Sequence, residues 1–570
     1  MDSFDAVVVG SGFGGSVTAF RLAEAGLRVC VLERGKEYPP GSFPRNPHET
    51  AKNFWDPDFR MYGLFDLWSF SKLDALVSSG LGGGSLIYAN VLLRKPEKWF
   101  VHETFEGGYE SWPVTRADLD PYYDRVETML GANPYPFAEK PYQDTPKTIA
   151  MRQAAERLGL PWQLPPLAVA FAEEEHPPVP GVPIEGGENN LHGSPRYTCR
   201  LVGECDLGCN FGSKNSLDFT YLSAAKQLGA DIRTLCEVRS FERLDHGFLV
   251  TYLEHRPTGD GDPPEPPVRR TVRTRRLVLS AGALGTPYLL LRNRSAFPGL
   301  SPALGSRFCG NGDFLGLLFR ARTKRRAGDG DEEVTAPRLL EPGFGPVITS
   351  AMLMRDGHDG GGAAGRGFYL EDAGYPEFLN WLVEDNVLTL SGRVGRFLLR
   401  RGWSQLTASP RSRVGRQVSG ALGKGRLTAA SLPLLGMGRD VPNGRLFLRE
   451  GNLDLAWDLT PSGPYFDRMN RTMRRVAHSL GGIYASSPLW WLNRLITVHP
   501  LGGAPMGRDR REGVVDSFGQ VHDCPGLSIA DGSVMPGPVG TNPSLTIAAM
   551  ADRSADRIIE DHDKHPAGPS

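Results

Sequence analysis

The stretch "FDAVVVGSGFGGSVTAFRLAEAGLRVCVLERG", residues 4–35, decides the fold. Ala6 to Val9 is a short apolar run, suited to a strand buried on both faces. Gly10-Ser11-Gly12-Phe13-Gly14-Gly15 matches the spacing G-x-G-x-x-G. Beyond it Val17, Phe20, Leu22 and Ala23 are apolar while Arg21 and Glu24 are polar, a helical pattern that Gly26 ends as a C-terminal cap. A second strand over 28–32 runs into Glu33, some twenty positions after the first glycine.

Each of these residues has a physical task in holding a dinucleotide. Gly10 permits a tight turn, Gly12 lets backbone approach a pyrophosphate, and Gly14 or Gly15 lets the helix pack closely on the strand. The helix that starts at Phe13 offers free N–H groups and about half a positive charge to phosphate. Glu33 can accept hydrogen bonds from ribose hydroxyls. A glycine-rich turn with no ligand leaves Glu33 unexplained.

Two further glycine-bearing stretches follow. "SSGLGGGSLIYANV", residues 78–91, holds Gly80, Gly82, Gly83 and Gly84, where backbone can come very close to a flat or charged group. "RLVLSAGALGTPYLLLRN", residues 276–293, reads as a buried strand at Leu277 to Leu279. It turns through Ala281 and Gly282 into a helix beside the same ligand. Near the C-terminus, "ITVHPLGGAPMG" sets His499 against Pro500 and the pair Gly502 and Gly503, where a histidine is neither helix filler nor ordinary strand surface.

The totals bound the remainder. The chain has 570 residues, too many for one core, so two or more domains are expected. A net charge of −1 does not suggest nucleic acid as a partner. Seven cysteines are an odd, sparse set that fits a reducing compartment. Cys199, Cys205 and Cys209 lack a C-x-x-C pair and read as packed or free thiols, with no metal site expected. The N-terminus shows no signal-peptide pattern, and no apolar run reaches membrane-spanning length. The expected location is cytoplasmic.

Residues 387–439 contain ten basic side chains and no Asp or Glu, with Val394, Phe397, Leu398 and Trp403 interleaved. A basic amphipathic segment of this kind suits peripheral contact with a membrane, or else a solvated helical face and loop. The basic run "RRTVRTRR" before Leu277 reads as an exposed strand edge, and the tail "DHDKHPAGPS" as disordered.

Taken together, the three glycine-bearing stretches and "VHPLGGAPMG…LSIADGSVMPGPVGTNPSLTIAAMADRSADRII" resemble the glucose-methanol-choline (GMC) family of FAD oxidoreductases. "GSKNSLDFTYLSAAKQLGA" and "FCGNGDF" resemble its cholesterol-oxidase branch. The resemblance implies an α/β fold: a Rossmann-type FAD-binding domain from discontinuous segments, 1–104, 196–305 and 498–570. A substrate-binding domain, 105–195 and 306–497, would be built on a mixed or antiparallel sheet with helices. It further implies that Gly83, Gly84, Ser85 and Asn90 wrap the flavin side, and that Val238 meets adenine through its backbone. Asp531 and Gly532 would lie beside the phosphate and ribityl chain, and Asn542 and Pro543 beside the isoalloxazine.

In that family a histidine of the H-P-L-G-G type and an Asn or His some forty residues later face flavin N5, which here implies His499 and Asn542. A neutral imidazole, with an unperturbed pKa of about 6.5, suits removal of an alcohol proton, and an amide can hold the hydroxyl oxygen. Glu371 in "GFYLEDAG" aligns with a carboxylate that moves a double bond after oxidation in cholesterol oxidases, or is a structural carboxylate. The implied activity is FAD-dependent oxidation of a bulky hydrophobic, sterol-like secondary alcohol, in steroid or lipid metabolism. A lyase or decarboxylase on the same fold, a dehydrogenase of another alcohol, and a non-catalytic binder are the alternatives.

Overall fold

The computed structural model describes residues 2–105, 108–173, 176–258, 265–326, 333–357, 366–376 and 426–564. Strand β1 (Ser3–Val9), helix α1 (Phe13–Glu24) and strand β2 (Val29–Leu32) follow the spacing read from the sequence. β1 and β2 run parallel, with Ala6 opposite Val29 and Val9 opposite Leu32, and α1 is the crossover that parallel pairing demands. Val7 and Val8 are completely buried, as an unalternating apolar strand should be. Gly26, at φ +83°, ends the first helix in the left-handed region that favours glycine.

Distant segments complete this sheet. β3 (Asp231–Arg233), β4 (Cys236–Leu244), β5 (Gly247–Glu254), β6 (Val268–Leu279) and β7 (Leu527–Ile529) join it in the order β3-β2-β1-β6-β5-β4, with β7 also beside β6. Helix α2 (Gly282–Arg292) leaves the end of β6, and helix α3 (Ser544–Lys564) packs on α1. β6 is long enough to pair antiparallel with β5 in its first half and parallel with β7 in its second, while β1 lies along its other side.

The basic run in β6 is therefore not simply an edge. Arg273 and Thr274 have strands on both sides. The arginines are tolerated because period-two alternation puts Val272 and Thr274 in the core and Arg273 and Arg275 on the exposed face. The C-terminal reading is corrected likewise: Asp561–Lys564 belong to α3, where Arg557 and Asp561, and Glu560 and Lys564, stand one helical turn apart as ion pairs. Residues 565–570 lie outside the described residues.

A second sheet is antiparallel throughout. Its six strands run in the order Trp162–Gln163, Ala351–Met354, Phe368–Asp372, Leu432–Gly438, Phe314–Phe319 and Ile483–Ser486. The Gly463–Ser479 helix buries Tyr465, Phe466, Met469, Met473 and Val476 beside it, a helical repeat along one face. Gly436 lies so close under Met469 that a side chain there would collide with the sulfur.

The basic segment 387–439 is corrected where it can be seen. Residues 387–425 lie outside the described residues. Leu432–Gly438, however, is an interior strand of the second sheet, and Arg439 is 3 % exposed and paired with Glu103 at 2.9 Å. The uncharged run 427–438 inside the basic stretch was the signal for this core strand. Among the described residues no helix is long and apolar enough to cross a membrane. All seven cysteines are free thiols, and Cys199 and Cys205 pack into a core with Tyr135, Tyr142 and Phe171.

Candidate active site

One cavity of about 790 Å³ runs along the C-terminal ends of β1 and β2, past the start of α2, and on to the second sheet. This is where a doubly wound sheet offers a ligand crevice. Its first end is built by the opening motif. Gly10, at φ +96°, donates from its N–H to Leu32 O at 2.9 Å and turns the chain under the sheet. A side chain at Gly14 would collide with the Ala530 carbonyl, and one at Gly15 with that of Gly10. The two glycines seat α1 against the strands.

Gly12, Gly84 and Gly282 are different: a Cβ at any of them would meet nothing within 4 Å, because each backbone opens toward free space. All three line the cavity. The N-terminus of α1 has no side-chain cap. An uncapped helix start beside bare glycine backbone fits a pyrophosphate, and an elongated cavity that continues past Gly84 and Gly282 fits the rest of a dinucleotide. Gly83 abuts Gly12, which brings the first two glycine stretches into direct contact.

Glu33 is 5 % exposed and lines this end. Its Oε2 accepts from Ser11 N at 2.9 Å and Ser11 Oγ at 2.7 Å, and its Oε1 from Gly35 N at 2.8 Å. Ser11 Oγ in turn accepts from Gly82 N at 3.0 Å. Glu33 thus ties the opening turn to the second glycine stretch. Asp531 ends the turn after β7. It accepts from Gly282 N at 2.9 Å and Thr286 Oγ1 at 2.5 Å, and from Ser533 N at 2.8 Å. Burial raises its carboxyl above the ordinary carboxylate range.

The other end holds His499 and Asn542, which both line the cavity. A single turn positions them. Asp313 is 3 % exposed and accepts from Thr497 Oγ1 at 2.7 Å, Val498 N at 3.0 Å and the His499 ring at Nδ1, 2.9 Å away. An ionised carboxylate only accepts, so Nδ1 carries the ring proton and Nε2 is left as the acceptor. Two residues earlier Asn311 accepts from Gly540 N at 2.7 Å and donates to Thr541 O at 2.9 Å. It holds the loop that ends in Asn542. The backbone of Cys309 meets Leu501 in a two-way bridge, both bonds 3.0 Å.

Glu371, on the Phe368–Asp372 strand, is completely buried behind Asn542. Its Oε2 accepts from Asn542 Nδ2 at 3.3 Å, and its Oε1 has no hydrogen-bond partner among the described residues. Burial pushes its carboxyl up to about 8, so it is protonated at neutral pH. Asn542 Oδ1 is also buried without a partner. The bond to Glu371 uses one of the two Nδ2 hydrogens, so the Asn542 amide can still donate the other to a hydroxyl oxygen.

The structure brings most of the expected residues to the cavity wall: Gly10, Gly12, Phe13, Gly14, Glu33, Gly83 and Gly84 at one end, Val238 on β4, Ala281, Gly282, Asp531 and Gly532 midway, and His499, Asn542 and Pro543 at the other. Four do not form its wall. Gly15 packs α1 on Gly10. Ser85 Oγ bonds Gly82 O at 2.7 Å and Leu217 N at 3.0 Å, bracing the glycine turn from behind. Asn90, at φ +69°, is completely buried, and Glu371 stands behind Asn542. Gly502 and Gly503 let the chain pass close to Arg307 and Pro287. Asn311 and Asp313 were missed. The signal was two polar residues, Asn311 and Asp313, set among the glycines of "CGNGD".

The chain matches a family model for GMC oxidoreductase over residues 180–309 and 491–551, and one for an NAD(P)-binding Rossmann-like domain over 8–49. It is 30 % identical to a cholesterol oxidase of Mycobacterium tuberculosis, covering 97 % of this chain and 90 % of that protein. It is 26 % identical to a cholesterol oxidase of Acinetobacter baumannii, covering 98 % and 95 %. A solved structure of Aspergillus oryzae formate oxidase superposes with a TM-score of 0.58 at 15 % identity, over 99 % of both chains, which shows the shared fold.

Proposed function

Since the chain belongs to the GMC oxidoreductase family and is an FAD-dependent oxidoreductase acting on alcohols, we propose that it oxidises a bulky hydrophobic, sterol-like secondary alcohol to the ketone. The observation that carries this reading is that His499 and Asn542 line one cavity with the glycine backbones that fit the dinucleotide. Bound FAD supplies the hydride acceptor, at N5 of its ring.

The chain's own residues do the rest. Gly12, the start of α1 and Glu33 hold the nucleotide half, and Gly84 and Gly282 leave space for the remainder. Nε2 of His499 takes the hydroxyl proton as the carbinol C–H bond breaks, and the second Nδ2 hydrogen of Asn542 donates to the hydroxyl oxygen and orients it. Asp313 keeps the imidazole in the required tautomer and stabilises the imidazolium that forms. Glu371 holds Asn542 in place. As a neutral acid beside the site it is also the group that could move a proton in a later double-bond shift. Val347, Ile348, Leu315 and Leu435 on the same wall support an apolar substrate.

Anaerobic mixing of the purified holoenzyme with a panel of alcohols tests this. Bleaching of the flavin together with ketone formation is the expected result. Product without net flavin reduction points to lyase or decarboxylase chemistry, and no change with any alcohol overturns the reading. Admitting air and following peroxide separates oxidase from dehydrogenase.

A further inference from the structure

The Cys205–Leu207 turn carries a carboxylate that the chemistry above does not use. Asp206 lines the cavity, and the turn that bears it packs on Gly83–Leu86. Lys214 Nζ fixes this junction, donating to Leu86 O at 3.0 Å, Tyr88 O at 2.8 Å and Cys205 O at 2.8 Å. Cys205 packs in one core with Val347 and Ile348, and His499 acts on Asp206 electrostatically. Asp206 therefore stands at the reacting end.

Its surroundings leave it without a partner. No hydrogen bond to its carboxylate contributes among the described residues; the charges of Lys214 and Lys147 act on it from a distance. Both lysines are committed elsewhere: Lys147 Nζ donates to Pro346 O and Val347 O, each at 2.6 Å, and Lys214 to its three carbonyls. Asp206 is exposed, and what it is exposed to is the cavity. Protein packs round it closely enough to push its carboxyl up to about 6, which leaves it ionised at neutral pH. Val347, Ile348 and Ala89, which line the same cavity, carry no side-chain donor.

An all-carbon substrate surface laid against this carboxylate would strip it of water and return nothing. A donor on the substrate would restore the lost hydrogen bond. Resting on the alcohol oxidation proposed above, we propose that Asp206 is a specificity-determining residue that accepts a hydrogen bond from a second donor on the substrate. Alcohols that carry a further hydroxyl or an ammonium group are then preferred over mono-alcohols of the same skeleton. The step itself is unchanged: the carbinol loses hydride and proton, and the second donor is only bound.

The test uses the holoenzyme and its Asp206→Asn and Asp206→Leu variants. The probes are decalin mono-alcohol, decalin diol and decalin amino alcohol. Anaerobic flavin reduction gives kcat/KM, and perturbation of the flavin absorbance gives binding without turnover. The wild type is expected to favour the diol and the amino alcohol over the mono-alcohol by about tenfold or more. Asp206→Leu should erase both preferences at equal flavin content. Asp206→Asn, whose amide oxygen still accepts but carries no charge, should keep most of the diol preference and lose that for the ammonium. Reduction by all three probes at ratios that neither variant changes overturns this inference alone. Neither reduction nor spectral perturbation by any probe overturns it together with the alcohol oxidation.

Discussion

Asp313 Oδ1 and His499 Nδ1 lie 2.9 Å apart, although 186 residues separate them in the chain. The carboxylate faces the ring nitrogen, and its other oxygen holds the two residues before the histidine. A hydrogen bond to a charged group is worth roughly 1.5–3 kcal/mol, enough to decide between two tautomers of nearly equal energy.

Asp313→Asn should therefore cost activity out of proportion to its size. The amide can donate to Nδ1, which moves the ring proton to Nε2 and removes the acceptor. We expect flavin reduction to slow by about a hundredfold or more with flavin content unchanged. A wild-type rate in single-turnover mixing would refute the positioning role.

His499→Ala and Asn542→Ala should each lower turnover by about a hundredfold or more while the protein keeps its colour. The two losses should combine less than additively, because both groups act on one hydroxyl. Comparing the double variant with the singles under identical conditions checks both points. Full activity in either single variant refutes the site assignment.

Glu371 gives the pH dependence. Its carboxyl, raised to about 8 by burial, is neutral below that pH and charged above it. Ionisation places a buried negative charge beside Asn542, against the negative charge that the substrate oxygen develops as its proton leaves. The rate of flavin reduction should fall as pH rises through about 8, and Glu371→Gln should lose that alkaline limb while keeping activity at neutral pH. Identical profiles in the two proteins would remove Glu371 from the site.

Glu33→Ala should weaken flavin retention, read as the ratio of flavin to protein after gel filtration. Two losses combine: the proposed ribose acceptor, and the observed link through Ser11 to Gly82. Gly14→Ala should do so more severely, because the new methyl meets the Ala530 carbonyl. Undiminished flavin in Glu33→Ala would count against its role.

The dinucleotide grip was legible because its logic is local. Gly10 to Gly15 and Glu33 lie within one strand, one helix and the next strand, and their spacing alone sets the geometry. His499 and Asn542 were reachable only through family resemblance, since nothing near them in sequence says what they face. Asn311 acts on a backbone 229 residues away, and a partner at that distance leaves no periodic trace. Ser85 and Asn90 show what spacing leaves open. Ser85 turns its hydroxyl to Leu217 N and Gly82 O, and Asn90 is buried with neither amide atom hydrogen-bonded among the described residues. In the basic stretch, charge drew attention away from the uncharged Leu432–Gly438 strand inside it.

The turn that bears Asn311 and Asp313 runs straight into Phe314–Phe319, a strand of the second sheet, whereas the glycine cradle hangs from the first. The braces of the reactive pair and the cofactor seat thus answer to separate foundations. Slight slippage between them would spoil alignment long before either foundation melts. In mild denaturant the molecule should first become a coloured but idle protein, and only afterwards a colourless one.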